Sequence, residues 1–473
     1  MRKTKIVCTI GPASDSPETI RALLRAGMNV ARLNFSHGAL DEHLQRINHL
    51  REAALELGEN LALLLDIQGP KIRVGRLKDG PVELIPGQEY TLTVDPYPGD
   101  ETKIQVDYPH LNRDLRPGSV VYIDDGLLEL RVQEVKGSDV ICQVVIGGEL
   151  SSRKGLSLPG VDVDLPPITR EDEEHIRFGV RHGVDFIAAS FVRKGEHVQA
   201  VRQMIEDSGG TQHIIAKIES SAGLRHIDEI IAAADGIMVA RGDLGVEIAT
   251  EEVPLAQRML IRKCNQAGKP VITATQMLDS MIRNPRPTRA EATDVSNAIF
   301  EGTDCVMLSG ETATGRYPVR AVQVMDRIAR RMEQVIDYGA LLREKANERR
   351  SEVDQAVTLA ACQVTTDLHL GTMICATFSG ATARSISQKR PKAVIFAISQ
   401  NQHVVRQLAM SWGVEAVYQE RHGDVEESIH GAIASATERG LLNPGDVVTI
   451  ITGSSVGIPG TTNMLQVRKV EGS

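Results

Sequence analysis

The sequence predicts an α/β fold in three parts: a (β/α)8 TIM barrel, an inserted small β-barrel domain that interrupts it, and a C-terminal three-layer α/β domain. Eight short apolar runs alternate with amphipathic segments, which is the pattern of a (β/α)8 barrel. Helical periodicity disappears once, between residues 71 and 166, and a second α/β alternation follows residue 342. A length of 473 residues accommodates these domains, at roughly 100–200 residues each.

The eight predicted barrel strands are near-continuous apolar runs, as expected of parallel strands that are buried on both faces. They cover residues 6–10, 30–34, 61–66, 186–190, 214–218, 236–240, 271–274 and 305–308. Helices are predicted at residues 16–26, 41–57, 171–182, 195–207, 224–234 and 253–267. An open doubly wound sheet shows a similar alternation, so this pattern alone leaves that architecture as an alternative.

The interruption predicts an all-β domain, residues 71–166, inserted after the third barrel strand. Its short strands, at 89–94, 119–123, 127–135 and 140–145, are separated by turns rich in Gly, Pro and Asp. Without this insertion, residues 1–70 and 167–342 together come close to the roughly 250 residues of a typical (β/α)8 barrel.

Residues 343–473 predict the C-terminal domain. A charged helical stretch at 327–350 leads into a helix at 353–368. Strand-like runs at 373–378, 393–398, 414–418 and 447–452 then alternate with helices, and a final strand is predicted at 464–470.

Composition excludes several classes of function. With 53 Lys and Arg against 62 Asp and Glu, the net charge of −9 argues against general nucleic-acid binding, which favours basic patches. Only 7 Phe, 7 Tyr and 1 Trp are present, which argues against base-stacking platforms. No apolar run is long enough to span a membrane, and the first residues lead directly into a strand, so no signal peptide is expected. The six cysteines are scattered without a C-x-x-C pair, which favours a reducing cytoplasm over a disulfide or zinc framework.

Active sites of such barrels lie at the carboxyl ends of the strands, and polar residues follow most of the predicted strands. They are Arg32, Asn34, Ser36 and His37 after the second strand, Asp66, Lys71 and Arg73 after the third, Lys217 and Glu219 at the fifth, Arg241, Gly242 and Asp243 after the sixth, Thr273, Thr275 and Gln276 at the seventh, and Ser309 and Glu311 after the eighth. Any one of them could be a structural polar residue. Burial of so many charges at one rim without a ligand would be costly, so we predict an active site there.

The residue types at this rim favour phosphoryl chemistry. Glu219 and Asp243 end adjacent strands, and two carboxylates with room for water and substrate oxygens suit Mg2+ or Mn2+. They could instead form structural salt bridges with neighbouring cations. Arg32, Arg73 and Lys217 add positive charge, which together with a divalent cation resembles a clamp for a phosphoryl group in transfer.

Residues 242–245, with the sequence GDLG, are predicted to open a helical turn whose backbone amides can bind a carboxylate or phosphate, although the motif by itself is not specific. His37 is a candidate phosphate contact or a structural loop histidine. The chain shows neither a Rossmann nor a P-loop fingerprint in a strand-to-helix setting, and no Ser/His/Asp arrangement that would favour hydrolysis.

Eight motifs, in order along essentially the whole chain, point to one family. They are KTKIVCTIGPAS at 3–14, MNVARLNFSHG at 28–38, DIQGPKIRVG at 66–75, IAKIE at 215–219, GIMVARGDLGV at 236–246, GKPVITATQMLDSM at 268–281, PRPTRAEATD at 285–294 and DCVMLSGETATG at 304–315. In these motifs the chain resembles the pyruvate kinases. The resemblance implies a catalytic barrel, a β-domain lid, a C-terminal effector domain and a homotetramer.

The resemblance also implies a reaction, the transfer of a phosphoryl group from phosphoenolpyruvate to ADP, which gives pyruvate and ATP. Lys217 and Arg32 would contact the transferred phosphoryl group, and Lys217 would also stabilise the enolate. Asn34, His37 and Arg73 would line the nucleotide phosphates, with a second magnesium arriving on ADP.

For the other half of the site, the resemblance assigns Glu219 and Asp243 as ligands of Mg2+ or Mn2+. The backbone amides around Gly242 and Asp243 and the hydroxyl of Thr275 would hold the substrate carboxylate. Thr275 would also take part in the relay that protonates the enolate.

The chain departs from the common family pattern near the third strand. Asn34, Ser36, Asp66 and the carbonyl of Ile67 match a site for a monovalent cation, but Lys71 stands where cation-dependent members have a glutamate. The compact lysine ammonium can replace potassium, so we expect an enzyme that needs no K+. The alternative is that the lysine points to solvent at the lid hinge. Gln68 and Glu171 also stand where many members have lysine, which leaves the nucleotide contacts near Glu171 open.

A phosphorylated effector is expected in the C-terminal domain at Ser379, Gly380, Ala381, Thr382 and Ala383, which follow a predicted strand and open a helix. In the family a matching loop holds an effector phosphate, and the alternative is a simple capped turn. The neighbouring loop at 453–462 has no Lys or Arg, which favours a monophosphorylated sugar or nucleotide over fructose 1,6-bisphosphate.

Two other classes of function compete with this interpretation. A metal-dependent barrel lyase or aldolase would use the same carboxylate pair and enolate-stabilising cation, but it would need neither a lid nor an ADP site. A non-catalytic metabolite sensor would not need the combination of Lys217, Glu219 and Asp243.

Overall fold

The computed structural model describes residues 1–347, 352–420, 425–453 and 462–471. Its strands, in chain order, are β1 (Lys5–Ile10), β2 (Val30–Asn34), β3 (Ala62–Asp66), β4 (Val82–Leu84), β5 (Glu89–Thr93), β6 (Lys103–Gln105), β7 (Val120–Ile123), β8 (Leu128–Lys136), β9 (Asp139–Ile146), β10 (Gly148–Leu150), β11 (Leu156–Ser157), β12 (Phe186–Ala189), β13 (His213–Ile218), β14 (Gly236–Ala240), β15 (Val271–Ala274), β16 (Cys305–Leu308), β17 (Thr372–Ala376), β18 (Val394–Ser399), β19 (Val414–Tyr418), β20 (Val447–Gly453) and β21 (Thr462–Lys469).

The helices of these residues, in chain order, are α1 (Pro17–Ala26), α2 (Leu40–Leu57), α3 (Leu111–Asp114), α4 (Arg170–Arg181), α5 (Gly195–Asp207), α6 (Ser221–Arg225), α7 (Ile227–Ala233), α8 (Arg241–Glu247), α9 (Val253–Ala267), α10 (Arg289–Glu301), α11 (Gly310–Ala313), α12 (Pro318–Glu333), α13 (Tyr338–Ala346), α14 (Val353–Asp367), α15 (Ala381–Ser387), α16 (Gln402–Gln407) and α17 (Val425–Glu438). Short 3-10 turns occur at Thr250–Glu252, Asp279–Ile282 and Leu408–Met410.

The first domain is a closed barrel of eight parallel strands in the order β1, β2, β3, β12, β13, β14, β15 and β16, and β16 pairs with β1. Each strand lies within one residue of its predicted bounds at either end, because strands buried on both faces are apolar throughout. The core between strands and helices is built from aliphatic side chains such as Ile6, Leu33, Leu65 and Ile214, all almost completely buried.

Two helical predictions differ from the structure. The helix predicted at 224–234 is two helices, α6 and α7, because Ser220 caps α6 early and His226 between them has a non-helical backbone. The charged helical stretch predicted at 327–350 breaks after α12, and Asp337 caps α13 by accepting a hydrogen bond from the amide of Ala340. Residues 348–350 of that stretch lie outside the described residues.

The inserted domain contains a six-stranded sheet in the order β11, β7, β8, β9, β5, β6, and a two-stranded sheet of β4 and β10. Isolated bridges from Arg73 to Gly155 and from Val74 to Val106 connect the two edges of the larger sheet, so that it curves around an enclosed core. Tyr90 and Tyr108 are fully buried in that core. The domain follows β3, so its hinge lies at the carboxyl rim of the barrel.

The C-terminal domain is a five-stranded sheet in the order β19, β18, β17, β20, β21, in which only β21 runs antiparallel. It is joined to the base of the barrel by buried ion pairs. Asp185, just before β12, accepts a hydrogen bond from Nε of Arg406 in α16 at 2.7 Å, and Arg390 lies 2.8 Å from Asp304, just before β16. The C-terminal domain is thereby attached to the amino ends of the strands whose carboxyl ends form the rim.

Candidate active site

Three barrel strands place Arg32, Asp66 and Lys217 in one buried ion cluster at the carboxyl rim. Nε of Arg32 lies 2.6 Å from Oδ2 of Asp66, and Nζ of Lys217 lies 3.2 Å from Oδ1. Burial alone would raise the pKa of Asp66, but Lys217 and Arg32 outweigh it and hold the pKa below its usual value. The aspartate therefore stays ionised and fixes both cations at the mouth of the barrel.

Lys217 also contacts Glu219, two residues further along the chain. Nζ of Lys217 lies 2.9 Å from Oε1 of Glu219 and donates a hydrogen bond to Oγ of Ser190 at 2.7 Å. Burial alone would lower the pKa of Lys217, but Asp66 and Glu219 outweigh it and raise the pKa. The ammonium therefore stays charged in a site that is almost closed to solvent.

Glu219 is 2% exposed, and its second oxygen, Oε2, accepts a hydrogen bond from the amide of Phe191 at 2.5 Å. Phe191 has a φ of 53°, so a left-handed turn after β12 aims this amide at the carboxylate. Burial raises the pKa of Glu219, and the nearby Asp243 carboxylate acts in the same direction. A cation at this position would favour the ionised form of Glu219.

Glu219 and Asp243 line the same cleft between the barrel and the inserted domain. The wall that the inserted domain contributes is largely apolar and includes Leu158, Val161 and Val163. The described residues bring together no group of three or more His, Cys, Asp or Glu side chains suited to a metal. Two carboxylates fit magnesium, which usually keeps several waters and takes further ligands from substrate phosphates.

Thr275 and Gly242 meet at the ends of β15 and β14. Oγ1 of Thr275 accepts a hydrogen bond from the amide of Gly242 at 2.8 Å and donates one to the carbonyl of Ala274 at 2.7 Å. The structure thus brings together the Thr275 hydroxyl and the Gly242 amide. The family resemblance implied that both would hold the substrate carboxylate. Thr275 has a φ of 65°, in the left-handed region.

The predicted nucleotide residues lie on two different domains. Asn34 and His37 belong to the turn after β2, where the carbonyl of His37 accepts a hydrogen bond from Nε2 of His43 at 2.9 Å. Arg73 belongs to the lid, and its Nη1 donates to the carbonyl of Arg153 at 3.1 Å. The turn is also braced by the amide of Ser36, which donates to Oδ1 of Asn34 at 3.3 Å.

Lys71 does not contact Asp66 in this structure. Its Nζ lies 3.5 Å from Oδ1 of Asp125 in the lid, and its side chain packs against Gly155. Arg32 and Lys217 supply the positive charge beside Asp66 instead. The carbonyl of Ile67, the fourth residue of the predicted cation site, accepts a hydrogen bond from Oγ of Ser190 at 2.7 Å.

Sequence reasoning missed Ser190 and Thr9 as members of the cluster. Ser190 binds Lys217, and Oγ1 of Thr9 accepts a hydrogen bond from Nη1 of Arg32 at 3.0 Å. Ser190 follows the fourth strand directly, so the strand-end rule that selected its neighbours would also have found it. Glu311, which that rule selected, instead accepts hydrogen bonds from the amides of Leu278 and Ser309 and has a structural role.

In the C-terminal domain, residues 379–383 cover the end of the turn after β17 and the first residues of α15. Gly380 has a φ of 81°, and its amide donates to Oγ1 of Thr377 at 3.0 Å. Oγ1 of Thr382 lies 2.7 Å from Oγ1 of Thr462, and Nη2 of Arg384 donates to the carbonyl of Ser379 at 2.8 Å. Residues 454–461, most of the second predicted effector loop, lie outside the described residues.

Comparison with known proteins identifies the family to which the chain belongs. The family model for the pyruvate kinase barrel domain matches residues 1–322, and the model for the pyruvate kinase alpha/beta domain matches residues 355–468. The chain belongs to the pyruvate kinase family. Curated pyruvate kinases similar to it include that of Geobacillus stearothermophilus, 48% identical over 99% of this chain and 80% of the relative. Another is that of Clostridium acetobutylicum, 44% identical over 100% of both chains.

Solved pyruvate kinase structures show the same fold. A crystal structure of a pyruvate kinase from Cryptosporidium parvum superposes with a TM-score of 0.94 at 40% sequence identity, covering 99% of this chain and 96% of that one. The predicted fold class is confirmed, and the open doubly wound sheet is excluded by the closed barrel.

As a pyruvate kinase family member, the chain is a phosphotransferase of the last step of glycolysis, which converts phosphoenolpyruvate and ADP to pyruvate and ATP. Members of the family generally need a divalent metal ion. This assignment decides against the lyase, aldolase and sensor alternatives. None of the described helices is long and apolar enough to cross a membrane.

Proposed function

We propose that Lys217 and Arg32 perform the central step of the pyruvate kinase reaction. Nζ of Lys217 lies within 3.2 Å of carboxylate oxygens of both Asp66 and Glu219, so its charge is fixed at the rim before substrate arrives. As the phosphoryl group leaves phosphoenolpyruvate, negative charge develops on the transferred group and on the enolate oxygen. A preorganised ammonium between them, with the Arg32 guanidinium on the phosphoryl oxygens, stabilises both charges without reorganisation.

Glu219 and Asp243 hold the divalent metal, Mg2+ or Mn2+, in this proposal. Both line one cleft, Glu219 is buried with a raised pKa, and neighbouring negative charge contributes to that shift. When bound, the metal would supply positive charge that stabilises the negative charge developing during phosphoryl transfer, and Glu219 and Asp243 would hold it.

The substrate carboxylate is held by the amides of Gly242 and Asp243 and by the hydroxyl of Thr275. Gly242 and Asp243 lie in the first turn of α8, whose free backbone amides suit an anion, and Thr275 directly follows β15. The Gly242 amide is bonded to the Thr275 hydroxyl at 2.8 Å, so a bound carboxylate would share or displace this contact. Thr275 also takes part in the relay that protonates the enolate carbon in the last step.

The nucleotide binds between the turn after β2 and the lid, with Asn34, His37 and Arg73 at its phosphates. The first two lie on the barrel and the third on the lid, which supports closure of the lid over bound ADP. A second magnesium arrives with the nucleotide.

The monovalent cation is not required in this proposal. Asn34, Ser36, Asp66 and the carbonyl of Ile67 form the family's cation site, and Lys71 replaces the cation. Nζ of Lys71 lies 3.5 Å from Oδ1 of Asp125, so it must leave that contact to reach Asp66.

The C-terminal domain provides allosteric control through a phosphorylated sugar or nucleotide bound at residues 379–383, and the chain works as a homotetramer. This segment offers the hydroxyl of Ser379 before α15, the hydroxyl of Thr382 in its first turn, and a glycine with positive φ, a combination suited to a phosphate. The base of the barrel, where Arg390 meets Asp304, supports coupling between the two domains.

A coupled assay of ATP formation from phosphoenolpyruvate and ADP tests the reaction and the metal ligands together. Activity should disappear with EDTA, return with Mg2+ or Mn2+, and fall by about 10²-fold or more in Glu219→Gln. Glu173→Gln, on the exposed face of α4, is the matched control and should keep full activity. Undiminished activity of Glu219→Gln would refute the metal assignment, and no ATP formation by the unaltered chain would refute the whole proposal.

A further inference from the structure

The turn that presents Thr275 has an unusual backbone. Thr275 and Gln276 are consecutive non-glycine residues with φ of 65° and 55°. Positive φ is uncommon for any residue with a side chain, and it is a clear outlier for a β-branched residue such as threonine. Conformations of this kind persist only where the surrounding structure enforces them.

Arg241 lies directly against this turn. Its Nη2 donates to the carbonyl of Thr275 at 2.7 Å, and its Nε donates to the carbonyl of Ala274 at 3.3 Å. The same Nη2 contacts Sδ of Met277 at 2.9 Å. The guanidinium therefore holds the carbonyls on both sides of the Ala274–Thr275 junction, and its side chain is only 10% exposed.

Two side chains orient the guanidinium from its other edge. Nη1 of Arg241 lies 2.7 Å from the carboxylate of Asp294 in α10 and 3.3 Å from Oε1 of Gln257 in α9. The planar arginine fork can bind these acceptors and the two carbonyls at the same time, which a lysine ammonium cannot reproduce. Arg241, which directly follows β14, thus contacts both the turn after β15 and α10.

Arg241 also precedes Gly242, whose amide donates to the Thr275 hydroxyl at 2.8 Å. The residue that holds the turn is therefore adjacent to the amide that meets its hydroxyl. We propose that Arg241, oriented by Asp294, is a positioning residue that holds Thr275 in its left-handed conformation so that the hydroxyl faces the substrate carboxylate. This inference rests on the role of Thr275 proposed above.

Arg241→Lys and Asp294→Asn test the inference, and Asp294→Asn keeps the arginine and is the milder change. Both should lower kcat, by about 10- to 100-fold for Arg241→Lys, since small misplacements of reacting groups have effects of this size. The KM for ADP should stay within about twofold, because the proposed nucleotide contacts lie elsewhere on the rim. Arg177→Gln, which breaks an exposed pair with Glu173, is the matched control and should leave kcat unchanged.

A double-mutant cycle with Thr275→Ala separates positioning from general destabilisation. If Arg241 acts through Thr275, Arg241→Lys should cost less than about threefold in kcat once the hydroxyl is absent. Additive losses, or an Arg241→Lys variant with full kcat, would overturn the inference. A Thr275→Ala variant with full kcat would instead refute the proposed role of Thr275 itself.

Gln276→Gly provides a rescue test in the Arg241→Lys background. Glycine adopts positive φ without steric cost, and the Gln276 side chain is exposed, so the substitution removes strain without removing a buried contact. The double variant should regain at least about threefold in kcat over Arg241→Lys, because the turn then depends less on the guanidinium. No recovery would contradict the view that Arg241 enforces this backbone.

Discussion

The ammonium of Lys217 lies 3.2 Å from Oδ1 of Asp66, across the barrel mouth from β13 to β3. The two residues are 151 positions apart, and the whole lid domain lies between them in the chain. Because Asp66 also binds Arg32, one buried carboxylate orients both cations that the phosphoryl group would meet.

Lys217→Ala should nearly abolish turnover, with a loss of about 10²–10³-fold in kcat, while phosphoenolpyruvate binding and the fold are largely retained. The reason is that the charge acts mainly on the transition state, in which the phosphoryl group and enolate separate. Steady-state kinetics and a direct binding titration measure the two effects. Lys263→Ala, which breaks an exposed pair with Asp228, is the control. More than about a tenth of the original kcat would contradict the role.

The native enzyme should run without added potassium, and Lys71→Glu should create a potassium requirement. The substitution changes the local charge by two units and removes the repulsion between an ammonium and a bound cation, on the order of 4 kcal/mol at 4 Å for an effective dielectric of about 20. Rates are compared in a tetramethylammonium buffer with and without KCl. A manyfold rise on adding KCl to the native enzyme would show the prediction to be wrong.

Two further variants, Lys71→Gln and Asp125→Asn, test whether potassium independence depends on the lysine charge or on its contact with Asp125. Asp125→Asn removes the charge that holds Lys71 in this structure, at a separation of 3.5 Å. We expect it to leave the potassium independence intact, since the lysine remains available to Asp66. We expect Lys71→Gln to lower the rate in tetramethylammonium buffer.

A monophosphorylated sugar or nucleotide should raise the Tm of the protein more than fructose 1,6-bisphosphate does, and Thr382→Ala should reduce that shift. The Thr382 hydroxyl lies in the first turn of α15, and ligands that bind only the folded state stabilise that state. A thermal-shift screen with a hexose monophosphate, a pentose monophosphate, AMP and the bisphosphate provides the comparison. Thr437→Ala in α17 serves as the control, and the largest shift with the bisphosphate would contradict the expectation.

Asp185→Asn should destabilise the protein by about 3–5 kcal/mol at neutral pH, because it leaves buried cations without their counter-ion. Asp185 is fully buried, and its carboxylate lies 2.8 Å from Nη2 of Arg51 and 2.7 Å from Nε of Arg406. Unfolding in urea at pH 7 measures the loss. Glu173→Gln, at an exposed pair, should change stability by less than about 1 kcal/mol.

Because of the Asp185 carboxylate, the stability of the protein should depend on pH in the acidic range. Burial alone would raise the pKa of Asp185, but His403, Arg51 and Arg406 outweigh it and hold the pKa below its usual value. Its contribution is therefore present at pH values above the ordinary aspartate pKa and is lost as the pH falls through the lower folded value. The Tm difference between the native protein and Asp185→Asn should shrink as the pH is lowered from 6 toward 3. A constant difference would contradict this account.

The sequence by itself determined the barrel and the residues of its rim. Strands buried on both faces are apolar along their whole length, so β2, β14, β15 and β16 were predicted with their observed bounds. Parallel strands in a barrel all end at the same rim, so their terminal residues, such as Lys217, Glu219 and Asp243, could be assigned to one site without coordinates.

Only the tertiary structure decided which of these residues pair with one another. Lys217 contacts Ser190 and Asp66, and Arg241 donates a hydrogen bond to the carbonyl of Thr275. Lys71 contacts Asp125 rather than Asp66. Partners so far apart in the chain meet only when the barrel closes and the inserted domain packs at its rim. Which residues pair depends on side-chain geometry and on the balance between burial and charge pairing. Neither is visible in a local sequence pattern.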